Sequence, residues 1–131
     1  MGVTMTTHIM RTVTQCIDDA RQLVHYLLVN PSVTTAQTML TVDDMPTTEL
    51  REIWRELIAM DDAMAGRDVA TLARRLRRRG VDPGRELRCV VKTDTGVMRA
   101  HLAWCCDEIR RHRTQAEQYR QAVAVLDRLS K

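Results

Sequence analysis

Three observations predict an all-α fold, a four- to five-helix bundle with a long C-terminal helix. Between Gly96 and Ser130, the residues Met98, Leu102, Cys105, Ile109, His112, Ala116, Tyr119, Val123 and Leu126 recur at alternating steps of four and three. That is a heptad pattern held through four repeats. The hydrophobic side chains are of a particular kind: no Phe, two Trp and two Tyr, but eight Met. Aliphatic and thioether groups suit helix-on-helix packing better than a β-sandwich core. Earlier in the chain, apolar residues again recur at helical spacing, in segments bounded by capping and breaking residues.

The elements follow in order. Residues 1–6 (MGVTMT) are expected without regular structure, and residues 7–131 form a single helical-bundle domain, as the length of 131 residues suggests. Gly2 and Thr6 match the short N-myristoylation pattern, but no basic cluster follows to supply a second membrane signal. A first helix is predicted from His8 to Val29, with Ile9, Val13, Cys16 or Ile17, Ala20, Leu23 or Val24, and Leu27 inward. Thr7 stands where a cap belongs, Asn30-Pro31 stops the helix, and Asp18, Asp19, Arg21 and Gln22 are expected to face water. Residues 31–46 read either as a short helix capped by Ser32 or as an extended segment.

A second helix is predicted from Thr48 to Ala65, with Leu50, Ile53, Trp54, Leu57, Ile58 and Met64 on one face. Arg51, Glu52, Arg55 and Glu56 occupy the other, and Gly66 ends or bends the helix. Asp68 caps a short basic helix, Val69 to Arg79, with Gly80 just past its end. Val81-Asp82-Pro83-Gly84 is a turn, or a cap at Asp82 with Pro83 in the first helical position. The next piece, ELRCVVK, contains Val90 and Val91, but a lone strand has nothing to pair with, so a short helix is expected. The last helix, from Gly96, is about 50 Å long. It must lie along other helices, of its own chain or of a second copy.

Charge is unevenly distributed. Residues 1–66 carry 4 Arg and 9 acidic residues, residues 67–92 carry 9 basic and 3 acidic, and residues 93–131 carry 7 and 5. The basic middle centres on Arg74, Arg75, Arg77, Arg78 and Arg79. A guanidinium fork matches phosphate well, so a nucleic-acid backbone is one expected contact for these five. A helix-turn-helix recognition face, zinc-finger spacing and an aromatic platform for bases are all missing. The other expectation is an acidic surface, within the chain or on a protein partner.

His101, Cys105, Glu108 and His112 stack on one face of the last helix. Each is a competent zinc ligand, but eleven positions span about 16 Å, so no single ion can be held by all four. No metal and no cofactor is expected. The pairs Asp18-Asp19, Asp43-Asp44 and Asp61-Asp62 are read as solvated acids, and no P-loop, G-x-G-x-x-G, H-E-x-x-H or G-x-S-x-G occurs.

No apolar run approaches the roughly 20 residues of a membrane span, and no secretory signal is visible. The four cysteines are expected to be reduced thiols in a cytoplasmic setting, Cys16 and Cys105 as small core residues. The expected function is a non-enzymatic interaction module (adaptor, chaperone-like protein or anti-activator) that binds another protein, as a homodimer. Ile109, Ala116, Tyr119, Val123 and Leu126 are the expected self-association residues. A small nucleic-acid-binding regulator using the arginine helix is the alternative.

Overall fold

The computed structural model describes the backbone of residues 2–93 and 98–130 and the side chains of residues 14–93 and 102–130. Ile9, Val13, Met98 and His101, given places by spacing, fall outside the described side chains. The described residues form α1 (Gly2–Val29), α2 (Thr35–Thr38), a 3-10 turn (Val42–Asp44), α3 (Thr48–Asp62), α4 (Val69–Arg78), α5 (Gly84–Val91) and α6 (Met98–Leu129). There is no strand among them. The fold is all-α with a long C-terminal helix, and ELRCVVK lies in α5 and its C-terminal cap.

The heptad pattern explains the central pairing. Cys16 Sγ lies 3.9 Å from the Ile109 carbonyl, and Cys105 Sγ lies 3.7 Å from the Asp19 carbonyl. Residue number therefore rises along α1 as it falls along α6, so the two helices are antiparallel. Ala20, Leu23, Val24 and Leu27 of α1 are sealed from solvent, as are Trp54 and Leu57 of α3, Leu72 and Leu76 of α4, Val90 of α5 and Ile109 of α6. Trp54 fills the centre, and its indole N–H donates to the Leu40 carbonyl at 3.3 Å, which satisfies the one polar atom that burial would otherwise strand. Small thiols at Cys16 and Cys105 allow α1 and α6 to approach closely, as their seam positions predict.

Local chemistry sets the helix ends. Thr47 Oγ1 accepts from Leu50 N at 3.1 Å, and Asp68 accepts from Thr71 N at 2.8 Å, each satisfying one orphan amide of a first turn. α2 is capped by Thr34, in a capping box with Gln37, and not by Ser32. After α4, Gly80 takes φ +77°; its amide bonds the Arg77 carbonyl and the Val81 amide the Leu76 carbonyl. This is a Schellman ending. Asp82 Oδ1 accepts from Gly84 N at 3.0 Å, and α5 begins one residue later than a Pro83 start would give.

Several expectations need correction. The first helix, expected from His8 with Thr7 as its cap, begins at Gly2 and runs through Thr7. Helix α3 stops at Asp62, and Met64, expected on its apolar face, is 92% exposed at φ 56°. It forms the same ending as Gly80, with Met64 N on the Asp61 carbonyl and Ala65 N on the Met60 carbonyl. Closing the helix there outweighs the cost of a left-handed non-glycine residue, about 1 kcal/mol. Glu56, expected to face water, is buried, because α4 crosses the polar side of α3. Finally, each acidic pair read as solvated has one member bound inside the protein. Asp19 is buried against α6, Asp44 pairs with Arg113 at 3.0 Å, and Asp61 pairs with Arg67 at 3.2 Å.

Arg67 ties several segments together. Its side chain is buried, pairs with Asp61, and donates to the backbone carbonyls of Asn30 and Val33. Asp61 Oδ2 in turn accepts from Thr35 N at 2.7 Å and from Thr35 Oγ1 at 2.9 Å. The α1–α2 connection and the α3–α4 connection are thereby fastened to each other. A carboxylate and two carbonyls meet Nε and Nη2 of this buried guanidinium, while Nη1 is buried without a hydrogen-bond partner among the described residues.

Candidate functional site

Two surfaces inherit the residues that the sequence singles out: the arginine face of α4 and the outer half of α6.

On α4, the five arginines divide into two groups. Arg75 Nε donates to Glu56 Oε2 at 2.8 Å, and Arg79 Nη1 donates to Glu56 Oε1 at 3.0 Å; Arg79 also pairs with Glu52. Burial would raise the Glu56 carboxyl, but the two arginine hydrogen bonds outweigh it and hold it below the usual carboxylate range. Glu52 and Glu56 belong to the acidic first half of the chain, so part of the charge asymmetry is resolved within one molecule. Arg74, Arg77 and Arg78 are exposed and take no ion pair among the described residues. The sequence-derived group of five therefore reduces to three available cations.

On α6, coverage ends partway. Cys105, Cys106, Ile109 and His112 are buried, Ala116 and Tyr119 half-buried, and every residue from Arg120 to Ser130 exposed. Ile109 must leave the expected self-association set, because it is sealed against α1. Val123 is 37% exposed, Val125 44%, Leu126 62% and Leu129 79%. At 100° per residue, Ala122, Leu126 and Leu129 line up with Tyr119, and Val123 and Val125 flank them. The residues form one continuous apolar face on a helix whose 32 residues span about 48 Å.

The described members of the ligand-competent row on α6, Cys105, Glu108 and His112, do not converge on one point. Burial pushes the Cys105 thiol up, with the Asp19 charge adding to it, and the thiol faces the Asp19 carbonyl. His112 is buried, with Nε2 3.5 Å from Glu108 and Nδ1 3.9 Å from Asp19. No group of three His, Cys, Asp or Glu residues among the described ones is arranged to hold a metal ion. Burial, assisted by Asp19, also pushes the Cys16 thiol up to about 12, and burial takes Cys106 to about 11, so both stay protonated at neutral pH. Beside His112, Asp44, Met45, Arg113 and Arg120 border a cleft of about 70 Å³. It is far smaller than the 300 Å³ or so at which small-molecule sites begin.

Sequence reasoning missed the inward carboxylates because spacing on one helix cannot show which second helix crosses its polar face. The signal for Glu56 was present in the charge asymmetry, where acids in the first half face cations in the middle. No described helix is long and apolar enough to cross a membrane. Compared with known protein families, curated proteins and solved structures, the chain matches none.

Proposed function

We propose that this chain is a non-enzymatic helical interaction module that works by protein–protein contact, with the outer half of α6 as an arm that pairs with a second copy. The observation that carries this reading is the apolar face from Tyr119 to Leu129, which the bundle leaves in water. Monomers seldom expose a contiguous apolar stripe of this kind. A two-fold antiparallel pairing places the same face on itself, the commonest closed arrangement. Ala116 and Ala122 permit close approach of the two backbones.

Magnitudes support a reversible dimer. Burying a Val or Leu side chain completely is worth about 2 kcal/mol. Val123, Val125, Leu126 and Leu129 from two copies, already partly covered, supply at most about 9 kcal/mol. Association costs about 4–15 kcal/mol in lost freedom. The balance is at most about 5 kcal/mol, so self-association is no tighter than a Kd of about 0.2 mM, unless further contacts join the arm. The free thiols of Cys16, Cys89, Cys105 and Cys106 support a reducing setting such as the cytoplasm. An adaptor, a chaperone-like protein or an anti-activator is the type of role that fits.

Sedimentation equilibrium tests the reading. Wild type should be dimeric at high micromolar concentration, and Leu126→Asp should shift it to monomer with unchanged helicity. A wild-type monomer across that range would overturn the homodimer.

The exposed Arg74, Arg77 and Arg78 favour a second reading, a nucleic-acid-binding regulator. Its test must change these three, since Arg75 and Arg79 hold α4 to α3. If phosphate contact is their role, Glu at all three abolishes DNA retention, and the wild-type salt slope is no steeper than about three.

A further inference from the structure

A groove of about 360 Å³ runs between α4 and α5, lined by Val69, Ala73, Arg77, Pro83, Gly84, Leu87, Arg88, Val91 and Lys92. Its floor and walls are apolar, and its rim is cationic. Leu87 and Pro83 are buried at the bottom, while Val69 and Val91 remain 38% and 51% exposed at the mouth. Two small residues, Ala73 and Gly84, are part of its lining. No residue of α6 contributes to it, so it is separate from the arm.

The rim carries the stronger information. Arg77 comes from the last turn of α4, and Arg88 and Lys92 stand four apart on α5. None of the three takes an ion pair among the described residues. Of the nearby acids, Glu86 is neutralised by a cation, and Asp68 and Asp82 are held in their own caps without an ion pair to the three rim cations. Asp68 accepts from Thr71, Asp82 accepts from Gly84 N, and Glu86 is paired with Arg21 at 3.0 Å. Three uncompensated cations around an apolar trough describe the complement of a ligand with an apolar ridge and negative flanks.

We propose that the α4–α5 groove docks an acidic amphipathic helix of another protein. On such a helix, apolar residues at i, i+3 or i+4, and i+7 form the ridge that enters the trough. Asp and Glu beside that ridge meet Arg77, Arg88 and Lys92. The apolar floor discriminates against a nucleic-acid backbone, which gains nothing from Val69, Leu87 and Val91, and no aromatic side chain lines the groove to stack a base. This surface neither needs nor excludes pairing through α6, so it can fail without affecting the homodimer, and the reverse also holds.

The test uses a fluorescein-labelled synthetic helix of about 18 residues, five turns, with Leu along one face and Glu on both sides of it. Anisotropy should show saturable binding to the full chain with Kd of about 10 µM. Two variants separate rim from floor. Arg88→Glu with Lys92→Glu should weaken binding at least about tenfold. Ala73→Leu, which fills the trough without adding charge, should weaken it similarly, and circular dichroism should report unchanged helicity in both. A control peptide with Gln for every Glu should bind at least about tenfold more weakly. Absence of saturable binding by the wild type would overturn the proposal, as would affinity indifferent to Ala73→Leu. A duplex DNA that displaces the peptide, and whose own binding depends on Arg88 and Lys92 but not on Ala73, would instead assign the surface to polyanions and overturn it.

Discussion

Glu56, where α3 meets α4, and Asp19, where α1 meets α6, keep 6% and 5% of their surface exposed. Similar exposure goes with opposite titration. Two guanidinium groups hydrogen-bond Glu56 and, despite its burial, hold its carboxyl below the usual range. Burial pushes Asp19 above that range, and a single Gln15 amide at 3.2 Å with His112 nearby does not bring it back. Asp19 lies deeper among protein atoms and meets one neutral donor, whereas Glu56 lies shallower and meets two charged ones, so desolvation wins at the first site and hydrogen bonding at the second. The α3–α4 contact is therefore clasped by ion pairs over an apolar strip, whereas the α1–α6 contact is apolar and carries Asp19 at a cost.

The largest expected effect comes from the apolar seam. Ile109→Ala removes a side chain sealed between α1 and α6 and should cost about 3 kcal/mol. Urea unfolding would check this, and a loss below about 1 kcal/mol would mean that the seam is not the principal contact.

Next comes the clasp. Glu56→Gln leaves Arg75 and Arg79 facing a neutral amide. Each arginine side chain is 33% exposed, so water recovers part of the loss, and the expected cost is about 2 kcal/mol. The sign of its pH dependence follows from linkage. Because the folded-state pKa lies below the unfolded one, the contribution is fully present above the ordinary Glu range and is lost as pH falls through the folded value. Wild type should lose more stability than Glu56→Gln between neutral pH and acid. Parallel curves for the two proteins would contradict the ion-pair account.

Asp19→Asn should act in the opposite direction and more weakly. A raised folded-state pKa means that folding favours the protonated acid. Stability then falls as pH rises from the ordinary Asp range through the folded value. At neutral pH the amide variant should be more stable than wild type, by up to about 1 kcal/mol, and the gain should vanish in acid. A destabilised variant at neutral pH would show that Asp19 is paired after all, with His112 Nδ1 at 3.9 Å the nearest ring nitrogen. Smallest of all, Leu129→Asp on the exposed arm should change unfolding stability measured at low concentration by less than about 0.5 kcal/mol, while altering sedimentation.

Much of the secondary structure was legible because helix formation here is locally encoded. Heptad spacing marks α6, Asp68 and Gly80 bracket α4, and apolar rows at 3–4 spacing mark α1 and α3. The end of α3 was not legible, since Met64 adopts a left-handed ending that glycine usually signals and Gly66 stood two residues away as a decoy. Of the candidate sites, the arginine cluster was visible as composition, but its division into two committed and three available groups was not.

The sequence by itself determined that this chain is helical, that its longest apolar row lies on the last helix, and that its acids and bases are segregated. These follow from side-chain spacing, and spacing is a property of one helix at a time. Only the tertiary structure decided which side chains along those rows are covered. The heptad of α6 continues past Ala116 without change, yet Ile109 is sealed and Leu126 lies open, because burial depends on where the other helices lie. For the same reason, Glu56 and Asp19, both placed on water-facing sides by periodicity, became two of the three buried carboxylates among the described residues, and their opposite titration distinguishes the interfaces. A neighbour's position is a long-range fact, and local pattern does not contain it.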